Sequence, residues 1–201
     1  MAETKFVGGH PCLDFVNTVG GRVLHTDTVL REKLTDYRTL AAWTQRAGFL
    51  SVPEFRQLER AARRNPQRAA RTLARAVRLR EALYRIFSSL LERRPPRKAD
   101  IDALRKELAS ARSRERLIAS ASGFVWAWDH AEDTLDLPLW CVSQSAADLL
   151  TSADLGRLRR CGGHQCGWLF LDTSRNRKRR WCDMKDCGNR AKVRSFRERH
   201  K

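Results

Sequence analysis

The decisive stretch reads Cys161-Gly-Gly-His-Gln-Cys166, then fifteen residues, then Cys182-Asp-Met-Lys-Asp-Cys187 followed at once by Gly188-Asn189-Arg190. Two cysteine pairs of equal internal spacing, separated by a short loop, suit a tetrahedral zinc site with four thiolate ligands. Each pair supplies two thiolates from one tight turn, and Gly162, Gly163, Gly167 and Gly188 let the backbone close around a metal. The alternatives are disulfides, four unrelated thiols, or a site of three thiolates and the His164 imidazole. The four-residue gaps are wider than the commonest knuckles, but structural zinc held by Cys161, Cys166, Cys182 and Cys187 is the favoured reading.

Charge points to the same region. The 201 residues carry 40 Lys/Arg against 23 Asp/Glu, a net charge of +17. From Arg157 to Lys201 there are 15 Lys/Arg and 4 Asp/Glu, a net of +11, so about two-thirds of the excess lies beside the cysteines. Such a concentration predicts a polyanionic partner. The bland alternative is the solvated surface of a protein rich in arginine throughout. No apolar run is long enough for a transmembrane helix, and the amino terminus lacks the apolar core of a signal peptide. A cytoplasmic location is therefore expected, where disulfides are rare and metal thiolates common.

Between the cysteine pairs, Leu169, Phe170 and Leu171 are expected to back a zinc module that has little core of its own, with Trp181 packed beside the site. Asp172 and Ser174 read as a turn that presents Arg175, Arg177, Lys178, Arg179 and Arg180 on a loop. After Cys187 a last helix is expected, capped by Asn189 and anchored by Val193 and Phe196. It would carry Arg190, Arg194, Arg197 and Lys201 on one face, with Lys192 beside it. Guanidinium forks bind phosphates and pair with guanine edges, which makes this helix the candidate reader of nucleic acid.

Working outward, the rest of the chain reads as mainly helical. His10 to Gly21 fits a short helix entered through Pro11, although its alternation also fits a strand. Asp36 to Ala47 has helical spacing and stops at Gly48, and Ser51-Val-Pro-Glu54 is a capping-box start. A long helix follows Pro66 and ends at Arg94-Pro95-Pro96. Its Arg68, Arg71, Arg75, Arg78 and Arg85 read as a solvated stripe. Ala99 to Arg112 is amphipathic, and a further helix begins near Pro138 or Ser143. Leu117–Ala119 and Phe124–Trp128 are β-prone and predict a small antiparallel sheet against which the helices pack, followed by a turn at Asp129–Asp133. The fold class is thus α+β, a mainly helical amino-terminal domain with a small sheet, then a four-cysteine finger.

At this point the chain resembles the CGNR zinc-finger proteins of bacteria. The resemblance rests on Cys187-Gly-Asn-Arg190 with Phe170, Asp172, Ser174, Arg175, Arg179, Arg180, Trp181, Cys182, Met184 and Lys192. Leu13-Asp14-Phe15-Val16-Asn17-Thr18 and Ala146-Ala147-Asp148-Leu149-Leu150 are similar to the ABATE domain that precedes that finger. The resemblance implies an ABATE-like domain over 1–155, a finger over 156–201, structural zinc, and a stress-linked transcription regulator that binds DNA on the nucleoid.

The amino-terminal domain would then sense a small molecule or form a homodimer. A candidate pocket combines Asp14 and Asn17 with Trp126 and Trp128. The simpler role for Asp14 and Asn17 is hydrogen bonding to nearby backbone. An RNA-binding or ribosome-associated module is the alternative function. An enzyme built on His10, Cys12, Asp14 and Asn17 is not expected, because nothing in the sequence sets a base beside a nucleophile.

Overall fold

In the computed structural model, residues 5–22, 29–128 and 134–200 are described; the Asp129–Asp133 turn and Lys201 lie outside them. Five helices build the amino-terminal body: α1 (Pro11–Val16), α2 (Tyr37–Arg46), α3 (Val52–Arg64), α4 (Pro66–Leu91) and α5 (Lys98–Arg112). Local chemistry sets their ends. Proline opens α1, the Asp36 carboxylate accepts from the Thr39 N–H at the start of α2, and Ser51 and Glu54 form the expected capping box of α3.

The helix α6 (Leu137–Thr151) differs from the others in being buried on nearly all sides, through Leu137, Leu139, Trp140, Cys141, Val142, Ala146 and Leu149. A helix apolar all round belongs in the middle of a fold. The equally buried α1 packs on it, α2 and α4 close over both, and α5 lies along α6. Phe15 meets Trp43 with ring centroids 5.0 Å apart.

Buried arginines tie this body together. Arg80 is 1% exposed and clasps Glu32 with both terminal nitrogens, at 2.6 and 2.7 Å, while its Nε donates to Glu81 at 2.8 Å. Arg22, 2% exposed, lies over the Tyr84 ring and donates to Glu81 at 2.5 Å. Burial works against the Glu81 carboxylate, but the two guanidiniums more than offset it and hold it below its usual range. The arginine stripe of α4 is only partly the solvated face expected. Arg75 bridges Glu107 and Asp136, and Arg85 pairs with Asp100, both half-buried.

Two small antiparallel sheets complete the fold. In the first, β1 (Glu115–Ser120) pairs with β2 (Gly123–Trp128), Leu117 opposite Trp126 and Ala119 opposite Phe124. The hairpin was expected, but the packing of helices against it is not what forms. Phe124 is 72% and Trp126 68% exposed, and the hairpin meets the body at its root, where Trp128 lies 6.3 Å from Trp140. In the second sheet, β3 (Leu158–Arg160) pairs with β4 (Leu169–Leu171), and all three residues of β4 are buried. The chain then ends in a π-helical turn (Met184–Gly188) and α7 (Asn189–Arg199).

Candidate metal centre and nucleic-acid surface

The β3–β4 hairpin delivers the first cysteine pair; of the second, Cys182 lies just before the π-helical turn and Cys187 within it. The sulfurs of Cys161, Cys166, Cys182 and Cys187 lie within 4.8 Å of one another, and all four residues are buried. Cys166 and Cys182 sulfurs are 3.7 Å apart, as are those of Cys182 and Cys187. A tetrahedral site with zinc–sulfur bonds of about 2.3 Å has edges of about 3.8 Å. A disulfide needs about 2.05 Å. The spacing therefore fits a four-thiolate metal and excludes the disulfide reading. His164 is exposed and outside the cluster. Such a set would hold zinc with no position open to water, so the ion would supply structure rather than chemistry.

Donors surround the thiolates. The backbone N–H groups of Gly163 and Cys182 point at the Cys161 sulfur, at 3.4 and 3.3 Å. A Cβ on Gly163 would lie 3.0 Å from the Cys187 sulfur and 3.2 Å from the Cys166 Cβ, so any side chain there crowds the cysteine cluster. The Cys-Gly-Asn-Arg run can be read residue by residue. Cys187 is the fourth thiol. A Cβ on Gly188 would sit 2.4 Å from the Met184 sulfur and 3.3 Å from the Trp181 ring, so glycine lets both pack over the turn. The Asn189 amide donates to the Lys185 carbonyl at 3.1 Å. Asn189 is therefore already helical and satisfies a carbonyl of the turn before it, in place of the expected amino-terminal cap. Arg190 donates to the Cys187 sulfur at 3.2 Å and pairs with Asp186 at 3.2 Å. One of its terminal nitrogens is thus engaged at the cysteine cluster, while the side chain stays 64% exposed.

Hydrogen bonds that cross the whole sequence weld this centre to the body. Asn17 at the end of α1 donates to the Leu169 carbonyl at 2.8 Å and accepts from the Leu169 N–H at 3.0 Å. The Trp168 indole donates to Val19, Arg22 N–H to Cys166, and Leu171 N–H to Gly8. Leu169 and Leu171 face the main core, while Phe170 packs with the cysteines. The amino-terminal strap is held by Asp14, whose carboxylate accepts from Gly8 N–H at 2.7 Å. Burial pushes that carboxyl up to about 6 although two backbone N–H groups pull it down.

Asp14, Asn17, Trp126 and Trp128, expected to line a ligand pocket, do not share one environment. Asp14 and Asn17 spend their polar atoms on backbone inside the fold, Trp126 is exposed on the hairpin, and Trp128 packs on Trp140. Two cavities among the described residues lie elsewhere. One of about 690 Å³ runs between α2, α3 and α4 over Tyr37, Ala62, Ala69 and Leu73; another of about 620 Å³ separates Gly162–Gln165 from α7. The thiol of Cys12 does touch His10 Nδ1 at 3.3 Å, but it is fully buried, and burial pushes it well above its usual range.

The basic residues divide into two groups. Buried Asp172 shapes the loop by accepting from Ser174 N–H, Ser174 Oγ and Arg179 N–H at 3.0, 2.5 and 2.9 Å. Arg179 then turns inward, over the Phe170 ring and onto the carbonyls of Val7, Trp181 and Cys182. Arg175, Arg177, Lys178 and Arg180 stay exposed on the loop, and Lys192, Arg194 and Arg197 are exposed on α7. No residue of α7 is buried, and Val193 and Phe196, expected as anchors, are 50% and 56% exposed. The main contact of α7 with another described element is with the π-helical turn.

Sequence reasoning missed the clasp formed by Asn17, Trp168 and Arg22, whose partners lie well over a hundred residues away and leave no local signal. Among the described residues no helix is long and apolar enough to cross a membrane. No curated protein matches the chain significantly. The model of the CGNR zinc finger matches residues 157–200, and that of ABATE, described as "Putative stress-induced transcription regulator", matches residues 9–153. With most of its length matched and its cysteines gathered as a metal-binding finger requires, the chain belongs to the ABATE family and carries a CGNR zinc finger.

Proposed function

We propose that this protein is a zinc-dependent transcriptional regulator that binds duplex DNA through its finger loop and α7, and that it performs no catalysis. One contrast carries the reading. In the body, Arg22, Arg75, Arg80 and Arg85 are each paired with a carboxylate, while others such as Arg71 and Arg78 stay exposed. Among the described residues no carboxylate pairs with Arg175, Arg177, Lys178, Arg180, Lys192, Arg194 or Arg197. Exposed cations without carboxylate partners, on the loop and on α7, suit phosphate binding. Zinc holds the turn from which α7 leaves, Arg190 secures that exit, and Asp172 and Arg179 set the loop beside it. The body acts on this surface through Asn17 and Trp168, and a small-molecule effector would act along the same route. On this reading the protein works in the bacterial cytoplasm, on the nucleoid when DNA-bound.

The test is a salt titration of duplex binding with zinc-loaded protein. Four to six phosphate contacts predict a log–log slope of roughly −4 to −5. Replacing Arg175, Arg177, Lys178 and Arg180 with alanine should flatten it by about 3. An unchanged slope, or preference for structured RNA over duplex DNA in competition, would reject the proposal.

A further inference from the structure

We propose that the β1–β2 hairpin is a self-association surface, on which two copies of this chain pack face to face about a two-fold axis. Residues paired across an antiparallel ladder share a face. One face therefore carries Glu115 with Trp128, Leu117 with Trp126, and Ala119 with Phe124. At its root this face is covered by the body, where Trp128 meets Trp140. Beyond the root it runs on uncovered: Leu117 is 54%, Trp126 68% and Phe124 72% exposed. A two-stranded hairpin standing alone is marginal in water, and an apolar face of this kind marks an interaction site.

Charge selects the occupant. From Leu117 to Trp128 there is no charged side chain, although 31% of the sequence is charged and the net charge is +17. Two copies of so basic a chain repel each other over most of their surface and can approach closely where charge is absent. The face is also self-complementary. An aromatic ridge on β2, Phe124 and Trp126, lies beside a lower strip on β1, Leu117 and Ala119. A two-fold rotation sets the ridge of one copy on the strip of the other, the relation an isologous interface requires. At 150–250 Å² for a whole aromatic side chain, the exposed parts amount to about 400 Å² per copy. This is about half a standard interface, the size of a weak, transient dimer, for which protein concentrations from about 1 to about 100 µM are the ones to test. It depends on neither DNA nor the finger.

Sedimentation velocity of the zinc-loaded full chain without DNA, from about 1 to about 100 µM, spans that range. The expected result is a shift from monomer to dimer that strengthens with added salt, because salt screens repulsion between the copies while leaving apolar contact intact. Salt would weaken DNA binding, so the two readings part on sign. Phe124→Ser with Trp126→Ser should weaken association at least about 30-fold. Leu117→Lys, which sets like charges across the axis, should do the same. Both variants should keep the melting temperature of the wild-type monomer, since these side chains are exposed. Wild-type protein that stays monomeric throughout, or variants that dimerise as well as wild type, would overturn the proposal. So would monomeric protein whose tryptophan emission shifts blue on anionic vesicles, which would give the face to a lipid surface.

Discussion

The two β-hairpins of this protein invert what their sequences advertise. The β1–β2 hairpin has six residues per strand, rich in Trp, Phe, Val and Ile, and it stands largely in solvent. The β3–β4 hairpin has three residues per strand and is the seam of the molecule, with β4 wholly buried. Strand propensity measures how well side chains suit a pleated surface and says nothing of where that surface lies. What buries β4 is non-local: Asn17 on one side, Gly8 beyond it, and the cysteines behind Phe170. The finger is therefore part of the body rather than an appendage to it.

The largest effect should come from cutting that seam. Asn17→Ala leaves both the N–H and the carbonyl of Leu169 buried without partners, which should cost about 2–4 kcal/mol. Chemical denaturation measures it, and the whole chain, finger included, should lose stability in one transition. A loss under about 0.5 kcal/mol would show the clasp to be incidental.

Asp14 holds the strap over the same seam and gives a pH signature. Its carboxyl titrates near 6 in the folded chain against an ordinary value of 3.8. The fold thus prefers the protonated form. That stabilisation is complete below about pH 4 and is lost as pH rises through 6, a swing of about 3 kcal/mol. Asp14→Asn keeps an acceptor for Gly8 N–H and removes the titration. Its stability relative to wild type should climb between pH 4 and 7 and then level off. A difference that stays constant with pH would contradict the burial of this carboxyl.

The smaller effect concerns Arg190. Removing an outer group hydrogen-bonded to a metal ligand typically costs 10–100-fold in metal affinity. Arg190→Ala should therefore release zinc to a chelator about 10–100-fold faster, with the salt slope of DNA binding changed by less than about 1. The opposite pattern, normal zinc retention with a clear loss of slope, would return Arg190 to the nucleic-acid surface.

Much was legible in the sequence because its causes are local. The capping box at Ser51 and Glu54, the proline before α4 and the cysteine spacing act within a few residues, and each marks an element that forms. The ligand set was readable because thiolate spacing is itself the chemistry. Residues whose roles depend on distant partners were not. Asn17, Arg22 and Arg80 look like ordinary polar side chains until Leu169, Glu81 and Glu32 are brought to them. Val193 and Phe196 have the spacing of an anchor, yet Phe196 stacks on His200 at the end of its own helix and both stay about half exposed. Arg179 and Arg190 sit among seven other basic residues and were indistinguishable from them until one turned onto Phe170 and the other onto a thiolate.

Native-state hydrogen exchange on the zinc-loaded chain tests the seam most directly. The Leu169 and Leu171 amides bond to Asn17 and Gly8, not to the finger's own backbone. They should exchange as slowly as amides in the middle of α4, through global unfolding, while those of Leu117 to Trp126 exchange orders of magnitude faster. If Leu169 and Leu171 instead opened together with α7, ahead of the body, the finger would be a separate unit and the account of a single welded fold would fail.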